Sequence, residues 1–567
     1  MRLSFYLFII LYCSAVCAQT ADNQLDELIK KHEQFQKDQR QSRTSDWPSS
    51  TKEQNQERQE YLRSQVAALK NISANALSEA GQINQEMLLL VLEDDLYNLD
   101  YQSYLMPLNA EGGFLTGMVY RTQRLQPKTA EEQEKYLKRL QAIPAYLEQQ
   151  TRILKQGLIV QKVVPKIIAQ NCIGYVAGYL NTSPNDLFLA QPLQHAPAIQ
   201  EEGISIIEKE VLPAYQRFKT FLEKEYLPNV REEVGVSNNQ DGKAYYEQRV
   251  RYFTTLDMTP KEVFDTGQKE VARIRAEMEK IIEDLAFEGG YAEFLEFLRT
   301  DEQFYAKTGD ELLAKAAWYS KKAEEILPRY FGKLPRLPFT VNPVPAAIAP
   351  KYTGGRYSPG SLEDQRAGQY WVNTYNLPSR PLYVLPSLTL HEAVPGHHLQ
   401  GALAQEIEGV PKFRTQTYLS AFGEGWALYT EYLGKEAGIY KTPYEDFGRL
   451  TYEMWRACRL VVDPGMHYFG WTRQQALDFM ASNTALSIHE VTTEIDRYIG
   501  WPAQAVSYKI GELKIRELRK RAEKKLGDQF DIRAFHDLVL ANGSIPLSSL
   551  ERIVDNYIAD KAVDGGR

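Results

Sequence analysis

The residues best suited to chemistry stand together at 389–400, TLHEAVPGHHLQ. The chain has eight histidines, and three of them, His391, His397 and His398, fall in this stretch. His391-Glu392 pairs a metal ligand with a carboxylate able to take a proton from an activated water. In the common zinc-peptidase pattern the second His comes four residues after the first. Here that position is Pro395. On an unbroken helix at ~100° per residue, position 398 returns to within about 20° of position 391, and 397 lies about 120° away. That favours His398. Pro395-Gly396 opposes an unbroken helix, because Pro removes an N–H and clashes one turn back. A bulge would rotate the downstream residues and could aim His397 at the metal instead. The residues alone leave both open.

A zinc site needs a third protein ligand and an open position for water. The stretch AFGEGWALYTEYL, 421–433, offers Glu424 between Gly423 and Gly425, which remove bulk where helices approach. Phe422, Trp426, Tyr429 and Leu433 recur at helical steps and would pack the other side. Glu431 and the pair Asp463/His467 are the rivals for this position.

These residues must be held by helices. VARIRAEMEKIIEDL puts Val271, Ile274, Met278, Ile281 and Leu285 on one apolar stripe, which reads as core packing. Thr259-Pro260-Lys261-Glu262 marks its start, and Thr442…Glu445 and Thr472…Gln475 mark two later ones. The Pro-rich run LPRLPFTVNPVPAAIAP, 334–350, interrupts the helical pattern. QYWVNTYNL, 369–377, is aromatic and β-branched and predicts a short strand, whose edge could pair an extended peptide with Asn373 nearby to hold it. A strand that only packs on its lobe is the alternative.

With 567 residues, 43% hydrophobic and 25% charged, the chain can support two core-bearing lobes. Residues 19–60 read as a polar leader, 61–335 as a helical N-terminal lobe and 336–567 as the lobe carrying the motif. A net charge of -8 with no long basic block argues against nucleic acid as partner. MRLSFYLFIILYCSAVCAQT reads as a secretory signal, cut after Ala18, giving a secreted or periplasmic protein with no membrane span after its removal. Val16 before Cys17 disfavours lipid attachment there. Cys172 and Cys458 remain as one disulfide or two buried thiols. Oligomeric state is not readable.

HEAVPGHHLQ, EGWALYTEYL, RLVVDPGMHYFGW, GWPAQAVSYKIG and LANGSIPLSSLE together resemble the domain-of-unknown-function 885 family. That family is similar to gluzincin zinc metallopeptidases of the angiotensin-converting-enzyme and oligopeptidase type: mostly α, two-lobed, with a cleft. The resemblance implies one Zn2+ on His391, His397 and Glu424, with Glu392 as general base. The two residues inserted between His391 and the second histidine are a departure from the converting-enzyme motif. An Arg-Tyr pair opening a late helix in such peptidases implies Tyr498 as oxyanion donor beside Arg497, with His489 some ten residues before it and Tyr508 as rival. Ser487…Glu490 reads as a helix cap, which would set His489 and Tyr498 on one helix about half a turn out of phase. A surface His at a helix start is the other reading of His489.

The expectation is therefore a secreted zinc metallopeptidase acting on short peptides. A metallohydrolase of non-peptide amides and a metal-free cleft-binding protein are its rivals. Ser358 in GGRYSPG misses G-x-S-x-G by one residue, so a serine hydrolase is not expected.

Overall fold

A computed structural model describes residues 2–41, 47, 51–123, 125–346, 348–349 and 352–564, with side chains from Thr20 to Val563 apart from Gln41. The side chains of the expected signal segment, 1–18, lie outside the described ones. The helices that bear on the site are α1 (Arg2–Gln41), α2 (Lys52–Lys70), α3 (Glu79–Asp100), α4 (Pro260–Asp284), α5 (Leu385–Glu392), α6 (His397–Ala404), α7 (Ser420–Glu436), α8 (Pro443–His467), α9 (Ile488–Gly500) and α10 (Ser507–Leu526). A three-stranded sheet of β1 (Phe339–Pro343), β2 (Gly355–Ser358) and β3 (Gly368–Val372) is set among them. The chain is mostly helical, as expected.

Local signals place the helix starts. Thr259 with Glu262, Thr442 with Glu445 and Thr472 with Gln475 each form a reciprocal capping box. The stripe on α4 buries Ile274 and Met278. A Cβ on Gly267 would meet Leu460 at 2.6 Å, so α4 and α8 touch closely there.

Two extended cores do not respect the expected boundary at 335. One joins Leu115, Tyr215 and Met278 to Tyr370, Cys458 and Tyr498. The other joins Leu25, Leu62 and Met87 to Leu390, Trp426 and Val554. Each mixes residues from before and after that point, so 61–335 and 336–567 are not separately packed lobes. In the described part of 19–60, Leu25 and Ile29 of α1 are buried in the second core beside α2. Ala21, Leu25 and Ile29 are spaced four apart, enough for one helical stripe.

The strand prediction is corrected in extent and place. The strand stops at Val372 and is the middle one of the sheet, parallel to β1 and antiparallel to β2. Both of its edges are used, so it cannot take a peptide. Cys172 and Cys458 are buried free thiols, and burial pushes Cys172 up to about 12. Among the described residues no helix is long and apolar enough to cross a membrane.

Candidate metal centre

Pro395 and Gly396 end one helix and start another. α5 stops at Glu392, and α6 begins at His397. A Cβ on Gly396 would fall 2.0 Å from the His391 carbonyl oxygen, so only glycine fits the break. The carbonyls that a broken helix leaves open are taken up locally. His398 N–H donates to Ala393 O at 3.0 Å. Thr430 Oγ1 donates to Leu390 O at 3.0 Å, and Trp426 Nε1 to Pro395 O at 2.8 Å. Both donors lie on α7, which therefore clamps the break.

The break turns His397, and not His398, toward His391 and Glu424. His391, His397 and Glu424 each offer a ligand atom within 4.8 Å of the others. Glu424 Oε2 lies 3.5 Å from His391 Nε2 and 3.3 Å from His397 Nε2. His398 points elsewhere. Its Nε2–H donates to Leu337 O at 3.0 Å, which leaves Nδ1 to accept from Tyr357 O–H at 3.2 Å. Burial holds it neutral, down to about 4. The unbroken-helix phase that favoured His398 does not apply, because the helix restarts at His397.

Glu431, a rival for the third ligand position, has another place. His391 Nδ1 meets Glu431 Oε1 at 2.7 Å, and Ser387 Oγ donates to the other carboxylate oxygen. A carboxylate on Nδ1 fixes the tautomer that leaves Nε2 free to coordinate. Burial lowers His391, but the carboxylates of Glu424 and Glu431 outweigh it and push it up to about 9. Burial likewise raises Glu424, and the imidazoles of His397 and His391 outweigh it, holding that carboxyl well below its usual range. Glu392 Oε2 accepts from the backbone N–H of Tyr357 at 2.8 Å. The site is thus joined to edge strand β2.

The glycines flanking Glu424 do different work. A Cβ on Gly425 would lie 2.5 Å from Gly511, so α7 and α10 meet backbone to backbone. A Cβ on Gly423 would strike the Tyr418 ring at 2.3 Å. That ring lies over Gly423 and donates its hydroxyl to Glu424 Oε1 at 3.1 Å. Surrounding protein and the Glu424 carboxylate raise the Tyr418 phenol well above its usual range, while 53% of the residue's surface is open. Tyr508 is half-buried, and its hydroxyl has no hydrogen-bond partner among the described residues. The Arg459 guanidinium lies 4.3 Å from its ring centre.

Four expected residues take other places. The Tyr498 hydroxyl is buried and fully used: it accepts from Trp455 Nε1 and Arg459 Nε and donates to Glu494. Arg497 is bound to Glu494 and Gln504. His489 is exposed in the first turn of α9, capped by Ser487. Asn373 donates to the carbonyls of Ala349, Tyr352 and Thr353 and accepts from Tyr375 N–H, stapling a loop. None of these four has a group free for a substrate in that role except exposed His489, which lies more than two turns from Tyr498 on the same helix. Asp463 and His467 lie in a separate buried cluster with Tyr246 and Tyr498 O.

Sequence reasoning missed the Glu431 orienting contact, Tyr418 and the Tyr357 amide. The seven-residue spacing of Glu424 and Glu431, which returns to one helix face, was the available signal for the first. It also missed a cavity of about 250 Å³ beside α5, lined by Leu388, Gly354, Tyr452, Arg380 and Glu490 among others. Leu388 lies one turn before His391, and burial pushes the Glu490 carboxyl up to about 7.

No curated protein matches the chain. Solved structures do, among them two described as "putative lipoprotein". One, described as the "putative lipoprotein" from Colwellia psychrerythraea, is 27% identical, covers 95% of this chain and 100% of its own, and superposes with a TM-score of 0.88. The other, a "putative lipoprotein of unknown function" from Shewanella oneidensis, is 17% identical over 95% of this chain and 99% of its own, with a TM-score of 0.70, a likeness of fold. The chain belongs to the family described as "Bacterial protein of unknown function (DUF885)", whose pattern matches residues 35–554.

Proposed function

We propose that this protein is a secreted or periplasmic zinc metallopeptidase that hydrolyses short peptides, with His391, His397 and Glu424 as ligands of one Zn2+. The spacing of the donor atoms carries this reading. Two ligands each ~2.1 Å from a tetrahedral ion stand ~3.4 Å apart. The Glu424 oxygen stands 3.5 and 3.3 Å from the two imidazole nitrogens. The true hydrogen bond that His391 makes, to Glu431, is 2.7 Å. The gaps fit a metal better than a proton. Two nitrogens and one carboxylate oxygen are also a donor set that suits a catalytic zinc.

Zinc bound there would acidify a water and polarise a carbonyl. The rest falls to the protein. Glu392, steadied by the Tyr357 amide, takes a proton from the attacking water and returns it to the leaving amine. Glu431 holds His391 in register. Tyr508, with its hydroxyl uncommitted, replaces Tyr498 as donor to the oxyanion; losing such a donor costs about a hundredfold in rate. β2, not β3, supplies the edge for an extended peptide, since its outer side adjoins Glu392. The cavity beyond Leu388 would receive a substrate side chain.

The test is digestion of a mixed peptide library with and without a chelator, read by mass, alongside metal analysis. About one zinc per chain and chelator-sensitive cleavage are expected, and Glu392→Gln should keep the metal and lose cleavage. An active metal-free protein would sink the proposal. Stoichiometric zinc with no peptide cut would point to another amide.

A further inference from the structure

Arg356 occupies the centre of β2, next in sequence to the Tyr357 whose amide holds Glu392. Its neighbours Gly355 and Tyr357 turn to the face that packs on the helices, toward Leu388 and His398. Arg356 turns to the other face with its cross-strand partner Trp371. There the Tyr352 ring lies 5.7 Å from the guanidinium and 6.2 Å from the Trp371 ring. The side chain is exposed. Glu392, Tyr508 and Glu111 are within its electrostatic reach. Yet among the described residues no carboxylate oxygen lies within 4.0 Å of it.

The buried arginines near the site are engaged instead. Arg459 is tied to Glu494 and Tyr498, Arg497 to Glu494 and Gln504, and Arg449 to Asp446 and Glu453. A guanidinium with no carboxylate partner beside a cation site adds like-charge repulsion unless a ligand brings negative charge. Its planar fork matches a carboxylate in two-point contact, and an aromatic ring supports its flat face. A peptide lying along the β2 edge would carry the residues beyond its cut bond past this side chain.

We infer that Arg356 binds a carboxylate of the substrate close to the scissile bond, and so selects peptides with a free C-terminus or an acidic side chain there. The inference rests on the hydrolase reading for the identity of the ligand. The same chemistry serves either source of carboxylate.

Binding separates this from cleavage. The full chain carrying Glu392→Gln, loaded with zinc, is titrated with fluorescein-labelled tetrapeptide pools and read by anisotropy. One pool has free C-termini, one is amidated, and one is amidated with Asp or Glu fixed at the third position. The same series is repeated with Arg356→Gln and Arg356→Lys added. One carboxylate-bearing pool should bind roughly ten- to hundredfold more tightly than the neutral amide. Arg356→Gln should erase that difference, Arg356→Lys should restore part of it, and zinc content should not change. A preference for the free acids assigns the terminal carboxylate; a preference for the acidic amides assigns the side chain. Equal binding of all pools, no binding of any, or a preference that survives Arg356→Gln would each overturn the inference. In the active protein, Arg356→Gln should raise KM for the preferred pool and leave kcat within a few-fold. An equal fall in kcat on every pool would make Arg356 a partner of Glu392 and refute a binding role. Failure of the peptidase proposal reads differently, as intact binding without cleavage.

Discussion

Glu431→Gln separates a ligand from the residue that orients one. Glu431 is 1% exposed, accepts from His391 Nδ1 at 2.7 Å and from Ser387 Oγ, and lies 3.8 Å from Arg456. A glutamine of the same shape can still accept from Nδ1–H and can donate to Ser387 Oγ, so the geometry survives. The charge does not. A hydrogen bond to a charged group contributes about 1.5–3 kcal/mol against about 1 for a neutral one. The difference, roughly 0.5–2 kcal/mol, is about a two- to thirtyfold loss in zinc affinity. That overlaps the ten- to hundredfold typical when a ligand's hydrogen-bond partner is changed. Glu424→Gln removes a coordinating carboxylate instead, and should lose zinc outright under the same conditions. Both are read by zinc retention against a graded chelator, with circular dichroism to show that each variant is folded. Equal loss from the two variants would make Glu431 a ligand and break the assignment. No loss from Glu431→Gln would show that the Nδ1 contact does not steer His391.

The same geometry sets three further outcomes. His397→Ala should abolish stoichiometric zinc and His398→Ala should keep it, since both His398 nitrogens are committed to Leu337 O and Tyr357; zinc lost only from the His398 variant would reverse the choice. Gly425→Ala puts a Cβ 2.5 Å from the Gly511 backbone, and overpacking of this kind costs about 1–3 kcal/mol; the melting temperature and zinc affinity should both fall, and an unchanged protein would mean that α7 and α10 separate easily. Burial raises Asp463 to about 7, above the 3.8 of an unfolded Asp. A folded-state value above the unfolded one means stability is full below pH ~4 and lost as pH rises through about 7, by on the order of 4 kcal/mol for this group alone. Asp463→Asn should flatten that part of the profile in denaturant titrations from pH 4 to 8, and an unchanged slope would refute it.

What the sequence disclosed was whatever is decided within a few residues. Capping at Thr259, Thr442 and Thr472 depends on contacts three residues away, so it could be read directly. His391, Glu392 and Glu424 stood out through residue type and two glycines. The selection between His397 and His398 was not local: it depends on where a broken helix restarts, and that is set by Trp426 and Thr430 on another helix. Tyr498 and His489 came from resemblance, which carries residue types but not helix phase. Tyr498 ends up among Trp455, Arg459 and Glu494, while His489 faces solvent. Glu392's partner is a backbone amide, which no side-chain motif encodes.

These non-local facts converge on α7. Glu424 and Glu431 are seven residues apart, hence within about 20° of one face and ~10 Å along the axis. His391 lies between them, Nε2 toward one and Nδ1 toward the other. The same helix satisfies Leu390 O and Pro395 O at the break that delivers His397. One rigid element therefore carries Glu424, orients His391 and holds the turn that positions His397, the three proposed ligands. Its own position is set by backbone contact with α10 at Gly425 and Gly511, where neither helix has a side chain to yield. A shift there moves all three donors together, and Glu424, whose oxygen stands 3.5 and 3.3 Å from the two imidazole nitrogens, tolerates little shift before it no longer shares one ion with them. The glycine contact thus controls the site more tightly than its distance from the chemistry suggests, which is why Gly425→Ala should weaken zinc binding as well as stability.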